Sequence, residues 1–149
     1  MTRDGGRRRG PVVGYVPGAW DMFHIGHLRI LERARTHCDR LIVGVVTDEV
    51  LESAKGKRPV VPLVERLEVV GALDLVDEVV VDYASNKLDA WQRYQFDVIF
   101  KGDDWRGTAK GDRLEREMAA VGVIVRYFPY TAHTSSTSRR VLVNGRAHG

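Results

Sequence analysis

The chain has little of what would place it outside a reducing, aqueous compartment. Its one cysteine, Cys38, has no intrachain partner. This excludes a disulfide scaffold and fits the cytoplasm, with packing as the expected role of the thiol. No apolar run approaches the roughly 18 residues of a membrane helix, so no membrane partner is expected. Arg3, Arg7, Arg8 and Arg9 have no hydrophobic stretch behind them, unlike a signal peptide. Charge of one sign is also scarce. The net charge is +3, and those four arginines account for it. Residues 1–10 also hold Gly5, Gly6 and Gly10, and are expected to form a disordered basic arm. A nucleic-acid role would rest on that arm alone. A short basic tail is more often simply solvated, so nucleic acid is not an expected partner.

What is present is an ordinary globular composition, 44% apolar and 29% charged, in 149 residues. Such a length supports one core, and no linker or internal repeat divides residues 11–149. Strand-like and helix-like stretches alternate. Val12–Val16 reads as a buried strand broken by Pro17-Gly18. Ile25, Leu28, Ile30, Leu31 and Ala34 then recur at helical spacing from His24 onward. Arg40–Val46 is a continuous apolar run, as in a parallel strand covered on both faces. Thr47-Asp48-Glu49 can begin a short helix, and Leu63, Leu67, Val70 and Leu73 mark another. Val79–Val81 is a strand, Lys87–Gln95 a helix, and Asp97–Phe100 a strand stopping at Gly102. A helix through Leu114, Met118 and Val121 ends at Gly122. Val123–Phe128 is the last strand, and Ser135–Leu142 is expected to be a terminal helix. Such alternation predicts an α/β fold with a parallel sheet, whose ligands sit beyond the carboxyl ends of the strands.

One turn at that edge carries the strongest chemistry. His24 and His27 stand three residues apart in the first turn of the first helix, with Gly26 between them. A helix N-terminus offers free N–H groups and partial positive charge, which suit a phosphate. Two imidazoles there make a site for a polyphosphate whose charge grows during reaction. The bland alternative is two surface histidines on an amphipathic helix. The spacing at a strand-to-helix switch favours the site.

Gly18-Ala19-Trp20-Asp21-Met22-Phe23-His24-Ile25-Gly26-His27 resembles the HxGH signature of the nucleotidyltransferase superfamily. Its longer form is most similar to the cytidylyltransferase branch, especially the glycerol-3-phosphate cytidylyltransferases. The resemblance runs from about Val12 to Arg140. It implies a three-layer Rossmann-like sheet with helices on both faces, and a homodimer. The implied reaction transfers CMP from CTP to a small phosphorylated alcohol or small phosphonate, releasing pyrophosphate. His24, His27 and Lys57 would be catalytic, and Gly18, Ala19, Trp20, Asp21 and Gly26 would line the nucleotide, with Asp21 also near the acceptor. The implied cofactor is Mg²⁺ carried on CTP, with no protein side chain expected as a metal ligand.

Three further segments extend the resemblance. Lys55-Gly56-Lys57, then Pro62 and Arg66, form a basic loop after a strand's carboxyl end. By composition this is a solvated loop or a cover for phosphates. By resemblance, Lys55 and Lys57 hold the phosphates and Lys57 balances the leaving pyrophosphate, while Arg66 has the weaker claim and is equally readable as a helix surface residue. Val76-Asp77-Glu78-Val79 is similar to a family segment near the acceptor. Asp74 stands where the family has arginine, and Asp77 is readable as acceptor-binding or as a strand-entry residue. Gly102-Asp103-Asp104-Trp105 resembles the nucleoside-recognition loop, with Gly102 and Asp104 near the base or ribose and Trp105 as a wall. A carboxylate accepts from the amine of cytosine or of adenine alike.

Tyr130-Thr131-Ala132-His133-Thr134-Ser135-Ser136-Thr137 closes the set. Hydroxyls before a helix cap it, bind phosphate, or do both. The family has arginine where this chain has Tyr130, which the resemblance sets near the acceptor. Ser135, Ser136, Thr137 and Arg140 also match an adenylyltransferase pattern, in which Arg140 would restore the missing charge. Thr131, Ser135, Ser136, Thr137 and Arg140 are therefore nucleotide-binding candidates. An ATP-dependent adenylyltransferase is the alternative reading, and a non-catalytic nucleotide sensor comes behind it.

Overall fold

The structure, a computed structural model, describes residues 10–83 and 86–129. In chain order these form β1 (Val13–Gly18), α1 (Ile25–Arg35), β2 (Arg40–Val46), α2 (Asp48–Lys55), α3 (Leu63–Gly71) and β3 (Glu78–Asp82). There follow α4 (Lys87–Tyr94), β4 (Val98–Gly102), a 3₁₀ turn (Asp103–Trp105), α5 (Ala109–Ala119) and β5 (Ile124–Phe128). The predicted terminal helix lies outside the described residues, as does nearly all of the N-terminal arm.

All five strands are parallel, in the order β3-β2-β1-β4-β5. The alternating side chains of each strand feed two cores. On one face Val16, Val43 and Phe100 pack with Leu31 and Ala34 of α1 and Val70 of α3. On the other, Tyr15, Ile42 and Ile99 pack with Ala90 of α4 and Leu114 and Met118 of α5. The result is the α/β fold with a parallel sheet that the alternation predicts, in the three-layer Rossmann-like form that the resemblance implies. Each fully buried Leu, Val or Phe contributes about 1.5–3 kcal/mol relative to exposure.

The helices begin where short polar side chains can take up their first amides. Thr47, Asn86 and Thr108 cap α2, α4 and α5, accepting from Val50, Leu88 and Gly111. Gly56 ends α2 in a left-handed conformation at φ +82°, as helix C-termini favour.

The amino edge of the sheet is fastened by carboxylates. Asp39 accepts from the Val12 amide at 2.7 Å, Asp97 from Val13 at 2.8 Å and Asp77 from Leu41 at 2.8 Å. The Leu41 amide, followed by the Arg35 guanidinium, holds the Asp77 carboxyl below its usual range. Asp77 stands where its strand-entry reading puts it, tied to backbone and to Arg35. It precedes β3, at the opposite end of the sheet from the carboxyl edge, and is occupied by Leu41 and Arg35.

Pro17-Gly18 does not end β1 as predicted. The strand continues to Gly18, paired with Val45 of β2. The Val12 amide faces the β2 side and the Val13 amide the β4 side. Alternation puts the missing Pro17 donor on the β4 side. There the ladder has already stopped, since β1 and β4 pair only through Gly14–Val98 and Tyr15–Ile99. Beyond that pair the two strands flank a crevice at the carboxyl edge, where the strand order reverses.

Candidate active site

The crevice is bordered by the β1–α1 turn, the α2–α3 loop and the β4–α5 turn. His24 does not lie within α1 but caps it, with extended backbone at φ −141° and ψ −179°. Its Nδ1 accepts from the Gly26 amide at 3.0 Å, and the His27 Nδ1 accepts from the His24 amide at 3.2 Å. The two imidazoles thus form a reciprocal capping box, a role usually filled by Ser or Thr with Glu or Gln. An Nδ1 that accepts carries no hydrogen. In each neutral ring the proton therefore sits on Nε2, the far side from the helix.

The rings stack with centroids 4.0 Å apart and 26° between planes. Burial, and then the neighbouring His24, push the His27 pKa down to about 4. His27 is therefore neutral at physiological pH. What it offers a phosphate is a fixed N–H donor rather than a charge.

Trp20 supports this turn from below. Only 5% of it is exposed. Its Nε1 donates to the Gly44 carbonyl at 3.0 Å, and its ring meets His27 edge-on at 5.4 Å. Trp20 and Met22 both adopt positive φ, at 56° and 49°, a conformation that costs of order 1–3 kcal/mol in a non-glycine residue. Burial of the indole holds Trp20 there. The ring is thus a buried floor under His27 rather than part of the open border of the crevice.

Asp21 fastens the basic loop. Its two carboxylate oxygens accept from the successive amides of Val60 and Val61, at 2.9 and 2.8 Å. Arg66, read from sequence as a surface residue or a weak phosphate ligand, is neither. It is 1% exposed and clamps the turns together. Its guanidinium donates to the carbonyls of Ala19, Val46 and Val61, each at 2.8 Å, and pairs with Asp48. Lys55 ends α2 and Lys57 lies in the loop beyond it; both are exposed. Arg58 is committed to Asp48, Glu49 and Glu52 of α2. Asp21→Asn is expected to keep one of the two loop bonds and to raise the KM for nucleoside triphosphate several-fold, with little change in melting temperature. An unchanged KM in steady-state assays would rule out this fastening role.

On the other border, Gly102 leaves room for the Asp104 side chain to fold back. A Cβ at Gly102 would lie 2.6 Å from Asp104 Oδ1. Asp104 is exposed, and Trp105 is half-buried with the Lys101 ammonium 3.8 Å from its ring centroid. Tyr130, Thr131, Ser135, Ser136, Thr137 and Arg140 lie outside the described residues.

Sequence reading passed over a buried network beside the crevice. Tyr15 Oη donates to Asp82 Oδ2 at 2.6 Å and Lys87 Nζ donates to the same oxygen at 2.9 Å. Burial and the Asp82 carboxylate raise the Tyr15 pKa, so the phenol stays protonated. A lysine opening a helix next to a strand that ends in Asp was the available signal. Lys101 was also overlooked, although a lysine in an otherwise apolar strand just before Gly102-Asp103-Asp104 is conspicuous.

Comparison with known proteins agrees with this geometry. A family model described as cytidylyltransferase-like matches residues 15–142. The chain is 45% identical over 103 residues to the ethanolamine-phosphate cytidylyltransferase of Arabidopsis thaliana, covering 66% of this chain and 24% of that protein. It is 39% identical over 100 residues to the bifunctional protein HldE of Hyphomonas neptunium (strain ATCC 15444), covering 66% of this chain and 21% of that one. The chain thus spans about a quarter or less of these curated relatives. Among solved structures, the lipopolysaccharide core biosynthesis protein from Thermoplasma volcanium GSS1 superposes with a TM-score of 0.71 at 24% identity. That match covers 82% of this chain and 100% of the other, and shows the shared fold.

Proposed function

Because the chain belongs to the cytidylyltransferase-like family, we propose that it transfers a nucleoside monophosphate, CMP before AMP, to a small phosphorylated alcohol or phosphonate. An acceptor oxygen forms a bond to the α-phosphorus as the bond from that phosphorus to the β-phosphate oxygen breaks, and pyrophosphate leaves. No protein nucleophile takes part. Catalysis is positioning and charge stabilisation.

The observation that carries this reading is the reciprocal cap. With both Nδ1 atoms engaged at the helix start, the Nε2 side of each ring is turned away from the first turn of α1, and the His27 Nε2–H is a fixed donor beside that helix N-terminus. Donors fixed before the reaction need no reorganisation as negative charge builds on the phosphates. Lys55 at the end of α2 and Lys57 on the loop that Asp21 and Arg66 fasten supply the positive charge that a neutral His27 lacks. The implied Mg²⁺ has a poor set of protein ligands, since the groups offered are donors. The metal would ride on the triphosphate, where it shields phosphate charge.

Support for CTP comes from the resemblance of the Gly102–Trp105 segment to the cytidylyltransferase loop and from the plant relative, whose name specifies cytidylyl transfer. Pyrophosphate release is to be measured with each of the four nucleoside triphosphates, against glycerol 3-phosphate, ethanolamine phosphate and a small phosphonate. CTP is expected to give a kcat/KM at least tenfold above ATP. A tenfold preference for ATP would reassign the enzyme as an adenylyltransferase, and absence of turnover with every pair would remove the transferase reading.

A further inference from the structure

Lys101 is a cation in an unusual place. It is the fourth residue of the five-residue β4, at the mouth of the crevice. By strand alternation it shares a face with Ile99, which belongs to the core on the α4 and α5 side, whereas α1 packs on the opposite face. Its ammonium lies over the Trp105 ring. Among the described residues it makes no ion pair or hydrogen bond. The two carboxylates that act on it are turned elsewhere: Asp82 is held by Tyr15 and Lys87, and Asp104 folds toward Gly102. Burial, then Lys87, and more weakly Lys55, lower its pKa to about 8 against the pull of Asp104 and Asp82.

A half-buried ammonium without a counterion is costly unless something else supplies the anion. The proposed reaction brings two anions together, a triphosphate and an acceptor phosphate. In-line displacement requires the attacking and leaving oxygens to lie on opposite sides of the α-phosphorus. With the leaving pyrophosphate on the α1 N-terminus, the attacking group lies on the side of the α-phosphorus away from that helix, and Lys101 belongs to the sheet face opposite α1.

We infer that Lys101 binds the phosphate or phosphonate head of the acceptor, pairing with it across the crevice from the His24–His27 cap and selecting acceptors that carry a dianionic head. This rests on the transferase reading and names the acceptor contact within it. Lys101 is distinct from the loop lysines because the sheet fixes its position. The bound anion replaces the Trp105 face as the partner of the ammonium and draws its pKa back up.

The test is a KM split. Lys101→Met keeps the unbranched stem, shorter by one atom, and removes the charge. It is expected to raise the KM for ethanolamine phosphate or glycerol 3-phosphate at least tenfold, with the KM for nucleoside triphosphate within about twofold of wild type. Lys101→Arg should recover part of the loss. A rise confined to the triphosphate KM, or no rise in either, would overturn the assignment. A second readout needs no turnover. In protein with isotope-labelled lysine, the resonance lost in Lys101→Met reports the Lys101 ammonium. Its titration midpoint should rise by a pH unit or more on adding inorganic phosphate or ethanolamine phosphate. A midpoint that stays put overturns the inference, even if the transferase reading has itself failed. A midpoint that moves in a protein without transferase activity keeps Lys101 as an anion site and discards only the reaction.

Discussion

His27→Asn is expected to lower kcat for pyrophosphate release by about 10²–10³-fold, the usual cost of removing one fixed donor to developing charge. Asparagine is the informative replacement because its carbonyl oxygen can still accept from the His24 amide. The cap survives and the Nε2–H donor does not. Melting temperature should therefore stay close to wild type. His27→Ala should lose activity similarly and, in addition, about 1 kcal/mol of stability with the lost cap acceptor. Activity of His27→Asn within threefold of wild type would remove His27 from the reaction. The same ring sets an acid limit. Its pKa is lower in the folded protein, about 4, than the 6.5 of a free histidine. Between those values the unfolded chain binds the extra proton more readily, so His27 makes stability fall as pH drops from 6.5 towards 4. Below that window its contribution levels off. The donor form persists through pH 6, and activity should not show an acid limb near 6.5 from this residue. A limb there that His27→Asn abolishes would contradict the lowered pKa.

Arg66→Met is expected to cost about 3–5 kcal/mol, the range for breaking a buried ion pair from one side. The variant leaves the Ala19, Val46 and Val61 carbonyls and the Asp48 carboxylate without their donor, and unsatisfied buried acceptors account for much of that loss. Arg66→Lys should rescue little, because one ammonium on a flexible stem cannot reach four acceptors spread around a planar fork. Urea denaturation followed by circular dichroism gives the measurement, with a lower midpoint at unchanged slope. A loss under 1 kcal/mol would show that the clamp is dispensable. Below the melting temperature, Arg66→Met should also have reduced kcat/KM, since the turn carrying Ala19 and the loop carrying Val61 share this one side chain.

The contrast between Arg66 and His27 explains what was legible in the chain. Strands and helices follow periodicity, and the periodic segments lie where their apolar spacing predicts. The histidine pair was readable because its meaning is local: spacing, a glycine and a strand-to-helix switch all fall within ten residues. Arg66 has a non-local meaning. Its acceptors come from two connecting turns, the end of β2 and α2, and nothing near Glu65-Arg66 in sequence distinguishes it from a solvated arginine. Trp20 misleads for the same reason, because its hydrogen-bond acceptor, Gly44, lies on the next strand. For Asp77 the two readings divide on which end of the sheet it serves, and that depends on the direction of β3. Pro17 reads as a breaker only while both sides of β1 are assumed to need donors. The candidates from Tyr130 to Arg140 stand as sequence readings.

The three aspartates before β2, β3 and β4 have a consequence for how the sheet is assembled. Each carboxylate fits one backbone amide of an adjacent segment. Sliding either partner by one residue would present that carboxylate with an amide pointing the other way. The sheet is thus indexed from one end, as a stack of sheets is squared against a stop. Errors of alignment are penalised at the end that has no part in binding. The far end, where β1 and β4 have parted, lies clear of these stops, so a change of side chain there leaves the alignment of the strands beneath undisturbed.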